Sequence, residues 1–343
     1  MAKYRVAVMG LGMGDAWAKA AVELEDTELC MVYDPAFGKY SRIDTEYYQS
    51  RRIPLAKTEE EIYQSDADIV VVASPDQFHA EQSIRALMAG KHVACEKPLA
   101  PTVADCKKII DATRKSGKKF MTGQVCRYAP CFKLMKQLIE SGRIGEVVAL
   151  ESSYAHDYQD ARGWEDWRQC KEVGRYGFLG GGCHCLDLLR YLAGNPLEVS
   201  CYMNQKFLKD WAKPDTGVAI ARFPNDVIAR IFVSIGIKAP YTMGTIVYGT
   251  KGTLRYRDEE YVEIAEESVY TTTKELKYSK IPTLAVAHHI KFELDAFVDH
   301  LKNGTVFPSD VFEGTGTVAF AEAAIRSAET GLPQEVENLQ NLL

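Results

Sequence analysis

Apolar positions in the first 125 residues come in short runs, and most of these runs are followed by a segment with helical spacing. The runs lack the polar–apolar alternation of half-exposed strands, which is typical of parallel strands buried on both faces. Right-handed crossovers through the intervening helices then favour a doubly wound parallel sheet. The predicted strands are residues 5–9, 29–33, 69–73, 92–95 and 119–122, and the predicted helices are 16–24, 80–89 and 102–116.

From about residue 145 the pattern changes to strands with more regular alternation. Turn-forming residues at 223–226 and 249–252 predict hairpins, so we expect a mostly antiparallel sheet in an α/β domain. Two helical patterns close the chain. The predicted strands are 147–154, 198–205, 218–223, 229–235, 245–248 and 253–257, and the helices are 287–301 and 309–330.

Length and composition agree with two globular domains. The chain has 343 residues, 46% hydrophobic and 26% charged, which excludes a coiled coil and long disorder. We place the boundary near Gly123, giving domains 1–123 and 124–343, an arrangement that allows the C-terminal helices to pack back on the first domain. A net charge of −6 gives no reason to expect nucleic acid or a membrane surface as partner.

Cysteine usage and the N-terminus bear on the compartment. Nine cysteines is an odd number, and several lie in predicted core segments, unlike a secreted disulfide scaffold. The sequence goes from Met1 directly into a strand pattern without a signal-peptide core, and no apolar run is long enough to span a bilayer. We therefore expect free thiols and a cytoplasmic protein.

A glycine-rich segment follows the first predicted strand and opens the first helix. Gly10 permits a tight turn, and Gly12 lets the backbone approach a pyrophosphate at the helix N-terminus. The third position of this dinucleotide fingerprint holds Asp15, with Gly14 one residue early. The segment indicates a Rossmann dinucleotide site with an imperfect motif.

Asp34 ends the second predicted strand, about 20 residues after these glycines. A carboxylate there hydrogen-bonds the adenosine ribose hydroxyls and repels a 2′-phosphate. NAD is therefore favoured over NADP, a preference that the nearby Lys39 and Arg42 weaken.

Lys97 follows the fourth predicted strand, within Cys95-Glu96-Lys97-Pro98. Ligands of open α/β sheets bind at the carboxyl ends of strands, so this lysine could stabilise negative charge on a substrate oxygen. A solvated surface lysine is the alternative interpretation.

Motifs spread over nearly the whole chain resemble the glucose–fructose oxidoreductase/inositol dehydrogenase family. They are Gly10-x-Gly12, Ala73-Ser74-Pro75-x-x-x-His79, Ala89-Gly90-Lys91-His92-Val93, Glu96-Lys97-Pro98-Leu99-Ala100, Arg127-Tyr128-x-Pro130, Ser141-Gly142-x-Ile144-Gly145-Glu146, Trp167-Arg168, His184-x-x-Asp187, Gly249-Thr250-x-Gly252 and Ser327-Ala328-x-Thr330-Gly331.

The resemblance implies an oxidoreductase with NAD(P) on the Rossmann half and a large open sheet in the second half. The exposed face of that sheet is expected to pack against another subunit, giving a homodimer or homotetramer. The implied substrates are sugars, polyols and their derivatives. Lys97 would bind the reacting hydroxyl and His184 would act as general base, and the bond between Lys97 and Pro98 is often cis in such proteins.

The resemblance also assigns further contacts. The residues expected at the cofactor are Gly10, Gly12, Met13, Asp34, Ser74, Pro75, His79, Glu96, Lys97, Gln124 and Arg168, and those expected at the substrate are Lys97, Arg127, Tyr158, Trp167 and His184. No metal is expected, because the adjacent side chains of Cys183, His184 and Cys185 point in different directions.

One position departs from the pattern. Polyol dehydrogenases of the family commonly carry Asp-x-Gly-x-His, with the aspartate reaching substrate, but here Gly180 occupies the aspartate position. A contact is lost or another side chain supplies it, the candidates being Asp157, Tyr158, Asp160 and Tyr176.

Three functions remain open from the sequence. The first is NAD-dependent oxidation or reduction at a secondary hydroxyl of a sugar, a polyol or a sugar derivative. The second is a redox-neutral glycosidase or lyase that oxidises its sugar transiently. The third is a non-catalytic, NAD-binding regulator.

Overall fold

The computed structural model describes residues 3–161, 163–266, 277–284 and 290–339. These residues form two compact units. Unit 1 contains residues 3–124, 163–167 and 290–318. Unit 2 contains residues 125–161, 168–266, 277–284 and 319–339.

The helices of unit 1 include the three predicted in its first 125 residues and two short ones between the second and third strands. The last helix of the chain begins in unit 1 and passes into unit 2 after Val318. The helices are α1 (Gly14–Glu23), α2 (Thr45–Ser50), α3 (Glu59–Gln64), α4 (His79–Met88), α5 (Val103–Ser116), α6 (Pro130–Glu140), α7 (Gly177–Gly180), α8 (Cys183–Ala193), α9 (Ile290–Asn303) and α10 (Val311–Thr330).

Unit 1 is built on a five-stranded sheet in the order β2-β1-β3-β4-β5, with every neighbouring pair parallel. The predicted doubly wound sheet is confirmed. Its central strands are apolar throughout because both faces are covered, and all four residues of Ile69–Val72 are fully buried. The strands are β1 (Tyr4–Met9), β2 (Thr27–Tyr33), β3 (Ile69–Val72), β4 (His92–Cys95) and β5 (Phe120–Thr122).

The strand order of unit 1 reverses at β1, which lies between β2 and β3. Crevices that bind ligands form outside the carboxyl ends of the strands at such a switch point. The segments that follow Met9, Tyr33, Val72 and Cys95 all start from this edge of the sheet.

Unit 2 is built on a nine-stranded sheet in the order β13-β12-β11-β10-β6-β9-β8-β7-β14. Its neighbours pair antiparallel except β6 with β9, so the prediction of a large, mostly antiparallel sheet is confirmed. Both predicted hairpins are present. The strands are β6 (Val147–Ala155), β7 (Glu198–Asn204), β8 (Thr216–Arg222), β9 (Ile228–Ser234), β10 (Thr245–Gly249), β11 (Gly252–Tyr256), β12 (Tyr261–Glu266), β13 (Ser279–Pro282) and β14 (Gln334–Glu335).

The two faces of this sheet differ in burial. One face carries α8, which packs on β6 and β9. The other face presents large apolar side chains on neighbouring strands: Tyr202 is 80% exposed, Val218 47%, Ile220 60% and Ile228 51%. We call these four residues the apolar sheet face. Within the described residues, no helix combines the length and the hydropathy that crossing a bilayer requires.

Candidate active site

The turn after β1 lies close to the end of β3. Gly10 has φ of +83°, and a Cβ there would lie 2.6 Å from the backbone nitrogen of Ser74 and 2.7 Å from the backbone of Ala73. Only glycine satisfies both the dihedral angle and the contact. A Cβ on Gly12 would meet nothing within 4 Å, so the backbone is open to a ligand at that residue.

The start of α1 completes this turn. Its N-cap residue, Met13, provides no side-chain cap, which leaves backbone N–H groups of the first helical turn for an anion. Gly14 brings the helix against the sheet, since its Cβ would lie 2.8 Å from Val8 Cγ1. Close helix–strand packing is the role of the third fingerprint glycine, and Gly14 performs it one residue early.

Asp15, which occupies the third fingerprint position, is directed away from that anion site. Its carboxylate accepts a hydrogen bond from the Tyr48 hydroxyl at 2.7 Å and forms an ion pair with Lys19 at 2.7 Å. The negative charge is therefore compensated within unit 1. The open Gly12 backbone and the uncapped helix start fit a dinucleotide diphosphate.

Asp34 is fixed beside the same turn. Its Oδ2 accepts the Leu11 N–H at 2.6 Å, and its Oδ1 accepts the Ala36 N–H at 2.7 Å. A carboxylate offers about four acceptor sites, so capacity for a diol remains.

His79 joins the ends of two strands. Its Nδ1 lies 2.8 Å from the Pro98 carbonyl oxygen and its Nε2 lies 2.8 Å from the Ser74 carbonyl oxygen, in a fully enclosed position. Carbonyl oxygens only accept, so both ring nitrogens must donate and the ring is an imidazolium. Burial opposes the charge, but Cys95 and Asp76 outweigh it and raise the pKa of His79 to about 10.

Ser74, Pro75 and Pro98 lie in the loops that His79 connects. The Ser74 hydroxyl donates to Gln82 Oε1 at 2.5 Å. His79 thus fixes the loops expected to line the cofactor, and its own contact with a cofactor stays a prediction.

Glu96 and Lys97 follow β4. The Glu96 carboxylate is buried and accepts the Trp17 indole N–H at 2.9 Å and the Lys97 backbone N–H at 3.1 Å. The peptide between Lys97 and Pro98 is cis, as the resemblance implies. The Lys97 side chain is half-buried between two buried neighbours.

Gln124 carries an amide with unsatisfied hydrogen-bonding capacity. The residue is 1% exposed, and neither its Oε1 nor its Nε2 has a hydrogen-bond partner among the described residues. Burying an unsatisfied amide costs about 1–3 kcal/mol for each group left unpaired. An orphaned donor and acceptor at the end of β5 are therefore a second feature that fits a polar ligand.

In unit 2, His184 is the second residue of α8 and is 3% exposed. Its ring stacks on Tyr154, with ring centroids 5.7 Å apart and planes at 27°. Its Nδ1 lies 3.6 Å from Cys126 Sγ, and the Cys126 thiol donates to Met243 Sδ at 3.7 Å. The sulfur of Cys126 is thus the acceptor for an Nδ1–H, which places the imidazole lone pair on Nε2.

Aromatic hydroxyls surround this histidine. The hydroxyls of Tyr154 and Tyr158 lie 2.7 Å apart, and Tyr241 packs edge-on against Tyr154. Burial raises the pKa of both Tyr154 and Tyr241 well above the usual range, so these phenols are neutral. Burial also lowers the pKa of His156, which packs edge-on against Tyr158. The result is a cluster of hydroxyl and aromatic groups that contains the imidazoles of His184 and His156.

Arg127 braces α8. Its Nε and Nη2 donate to the two carboxylate oxygens of Asp187 at 2.8 and 2.7 Å, and Arg190 lies 3.4 Å from the same carboxylate. All three side chains are buried. Asp187 supports the His184 helix, while a contact between Arg127 and substrate stays a prediction.

Trp167, Arg168 and the candidates to replace the family aspartate complete the set of residues expected from the sequence. Trp167 belongs to unit 1, whereas Arg168 belongs to unit 2 and donates to the Ala161 carbonyl at 3.0 Å. Of the candidates to replace the aspartate, Asp157 pairs with Lys238, and Tyr176 donates to Glu329.

Two other histidines, His288 and His289, lie outside the described residues. Among the residues that are described, no group of three or more His, Cys, Asp or Glu side chains could hold a metal ion.

The imidazolium of His79 predicts a pH-dependent stability. Because its pKa is raised from 6.5 to about 10, the stabilisation is complete below pH 6.5 and is lost as the pH rises through 10. We expect the unfolding free energy to fall over this window by on the order of 5 kcal/mol more in the wild type than in His79→Gln. Urea titrations at several pH values measure the difference. The exposed His300→Gln is the control and should keep the wild-type slope; equal slopes for His79→Gln and wild type would contradict a charged ring.

Comparison with known proteins identifies both halves of the chain. Residues 4–124 match the model described as "Oxidoreductase family, NAD-binding Rossmann fold", and residues 132–255 match the GFO/IDH/MocA C-terminal domain. The chain is 30% identical to 1,5-anhydro-D-fructose reductase of Ensifer adhaerens over 288 residues, covering 82% of this chain and 84% of the relative. It is 26% identical to inositol 2-dehydrogenase 2 of Saccharopolyspora erythraea over 285 residues, or 80% and 78% of the two chains.

A solved structure shares the fold over almost the full length. Levoglucosan dehydrogenase, in complex with NADH and levoglucosan, superposes with a TM-score of 0.87 at 20% sequence identity, covering 98% of this chain and 99% of the other. The dinucleotide cradle of unit 1 agrees with the family whose model matches it. The chain belongs to the GFO/IDH/MocA family and is an NAD(P)-dependent oxidoreductase with NAD as its cofactor.

Proposed function

We propose that the protein transfers a hydride between the nicotinamide of NAD and a secondary hydroxyl of a sugar, a polyol or a sugar derivative. The observation that carries this proposal is the imidazole of His184, which stacks on Tyr154 and turns Nδ1 toward the Cys126 thiol. An oriented imidazole among aromatic hydroxyls suits proton exchange with an uncharged alcohol. The substrates named for the relatives, an anhydrosugar and a cyclitol, support the substrate class.

The cofactor would be held by unit 1. Gly10, Gly12 and Met13 form the cradle for the diphosphate, and Asp34 would accept hydrogen bonds from the ribose. The amide of Gln124 offers a donor and an acceptor to a carboxamide. NAD, when bound, supplies the ring carbon that accepts or returns the hydride.

Two side chains would act on the reacting alcohol. The Lys97 ammonium would donate a hydrogen bond to the substrate oxygen and stabilise the negative charge that develops there. His184 would accept the hydroxyl proton at Nε2 and return it in the reverse direction. Tyr158, Arg127, Trp167 and Arg168 are proposed to position the sugar and the nicotinamide.

We also propose a function for each of the two parts of the chain. Residues 1–123 would bind the nucleotide, and 124–343 would bind substrate and contact a second subunit. The apolar sheet face is the surface proposed for a homodimer or homotetramer. All nine cysteines are free thiols, which supports a reducing, cytoplasmic compartment.

Lys97→Ala should lower turnover by roughly 10²–10⁴-fold, because charge on the substrate oxygen loses its stabilising donor. NAD affinity should change little. Absorbance of reduced nicotinamide measures turnover over a panel of sugars and polyols, and quenching of protein fluorescence measures NAD binding. Turnover close to wild type would refute the role of Lys97.

The same assay separates the alternative functions. Net NADH formation with a free sugar or polyol supports the proposal. Cleavage of an aryl glycoside without net NADH would instead indicate a redox-neutral glycosidase or lyase. Nucleotide binding without turnover across the panel would indicate a regulator.

Asp34→Ala should weaken NAD binding by roughly tenfold to a hundredfold, since hydrogen bonds to a charged acceptor are lost. Binding of NADP should weaken less or improve, because the repulsion of the 2′-phosphate is removed. Titration with both nucleotides gives the ratio of dissociation constants. Unchanged affinity for both nucleotides would remove Asp34 from the cofactor site.

Ile220→Asp should shift the oligomer toward the monomer, because it places a charge in the middle of the apolar sheet face. Light scattering coupled to size-exclusion chromatography measures the mass. The control is Val306→Asp, which changes a side chain that is 98% exposed in unit 1. If wild type and Ile220→Asp have the same mass, the sheet face is not the interface.

A further inference from the structure

Gly180 is a glycine for reasons of space. It is the last residue of α7 and has helical backbone geometry without a positive φ, so its conformation suits any residue. A Cβ there, however, would lie 2.1 Å from Arg175 Nη1, 2.3 Å from Cζ and 2.9 Å from Nε. The guanidinium of Arg175 therefore fills the volume that a side chain at position 180 would occupy.

That volume adjoins the His184 cluster. The Gly180 carbonyl accepts the Cys183 thiol at 3.4 Å, and the Gly181 carbonyl accepts the His184 N–H at 3.3 Å. A Cβ on Gly181 would lie 2.4 Å from Tyr154 Cε1, the ring on which His184 stacks. Gly180, whose side-chain volume the guanidinium fills, thus precedes the proposed base by four residues and lies in the same unit.

Where the family pattern has an aspartate carboxylate, this protein has the guanidinium of Arg175. Hydrogen-bond donors therefore replace hydrogen-bond acceptors in this volume. A carboxylate accepts hydrogen bonds from sugar hydroxyls, whereas a guanidinium offers five N–H donors in a planar fork that matches a carboxylate. One anion does not satisfy all five N–H donors of the guanidinium, so the guanidinium can donate to a protein acceptor and to a ligand at the same time. The side chain is 7% exposed, and a guanidinium in so enclosed a position acts through little water screening.

The charged residues next to the Arg175 segment have partners within the protein. Lys213 Nζ lies 4.8 Å from the ring centroid of Tyr176 and donates to its hydroxyl at 3.3 Å, and the same hydroxyl donates to the Glu329 carboxylate. The Asp215 carboxylate accepts the N–H groups of Phe207 and Leu208 at 2.9 and 2.8 Å. The nearby carboxylate thus already has donors of its own.

We propose that Arg175 makes the enzyme selective for a sugar or polyol that carries a carboxylate, such as a uronate or an aldonate. This inference rests on the proposed function for the role of His184. Arg175 is the specificity-determining residue, and Gly180 supplies the space that it occupies.

The test compares matched substrates that differ only in an oxidised carbon, namely D-glucose with D-glucuronate, D-galactose with D-galacturonate, and D-sorbitol with D-gluconate. Calorimetric binding to the NAD-loaded protein and kcat/KM for NADH formation are measured for each pair. At least one acid should exceed its neutral counterpart by about tenfold or more in binding. Arg175→Met should abolish that preference, lowering the ratio of the two affinities by about tenfold or more, as expected when a hydrogen-bonded charge pair is broken.

Three further variants separate specificity from folding. Arg175→Lys keeps the charge and should retain part of the preference. Arg143→Met makes the same replacement at an exposed arginine that pairs with Glu266, and should leave the preference unchanged. The double variant Arg175→Ala/Gly180→Asp puts a carboxylate into the vacated volume and should favour the neutral member of each pair.

The outcomes for the two proposals are distinct. If no acid binds better than its neutral counterpart, or if the preference survives in both Arg175→Met and the double variant, the inference is overturned. If an acid is bound preferentially through Arg175 but no NADH forms with any substrate, the inference stands and the proposed dehydrogenation fails.

Discussion

The close approach of the β1 turn to the end of β3 is the constraint on which the nucleotide half depends. Gly10 lies within contact distance of the Ser74 and Ala73 backbone, which requires both a positive φ and the absence of a Cβ. The contact holds the Gly12 backbone and the start of α1 at the switch point of a parallel sheet. Asp34 and His79 then fix the neighbouring strand ends through hydrogen bonds to backbone groups.

The sequence predicted the helices and strands whose hydrophobic pattern is clear within a few neighbouring residues. Strands buried on both faces are continuous apolar runs, so all five strands of unit 1 were predicted within a few residues. Strands β12, β13 and β14 were missed because they are short or polar and lie toward the sheet edges, where alternation is weak. Helices α2 and α3 were missed because six residues carry little periodicity.

The residues of the candidate site also fall into two groups, those that a local motif predicts and those that only the fold brings together. Gly10, Asp34 and Lys97 belong to motifs that lie within a few residues of a strand end, so sequence patterns could reach them. The contact between Cys126 and His184 spans 58 residues, and the one between Cys126 and Met243 spans 117. No pattern within one segment encodes such an approach, and the same holds for the stacking of Tyr154 on His184.

The imidazole ring of His184 is oriented by a partner that is not a carboxylate. A carboxylate, Asp187, lies on the same helix about one turn away, but two guanidinium groups neutralise it. The partner at Nδ1 is instead a thiol, which fixes the tautomer without adding negative charge beside the ring. In the proposed reaction, an imidazolium at His184 would have the Cys126 sulfur, and not a carboxylate, at Nδ1.

Because the Arg175 guanidinium fills the side-chain volume at position 180, the absence of the family aspartate is more than the loss of one contact. A carboxylate introduced at position 180 alone requires the Arg175 guanidinium to move, because the guanidinium occupies that volume. The two positions thus form one unit of specificity, and the residue at either one has meaning only together with the residue at the other.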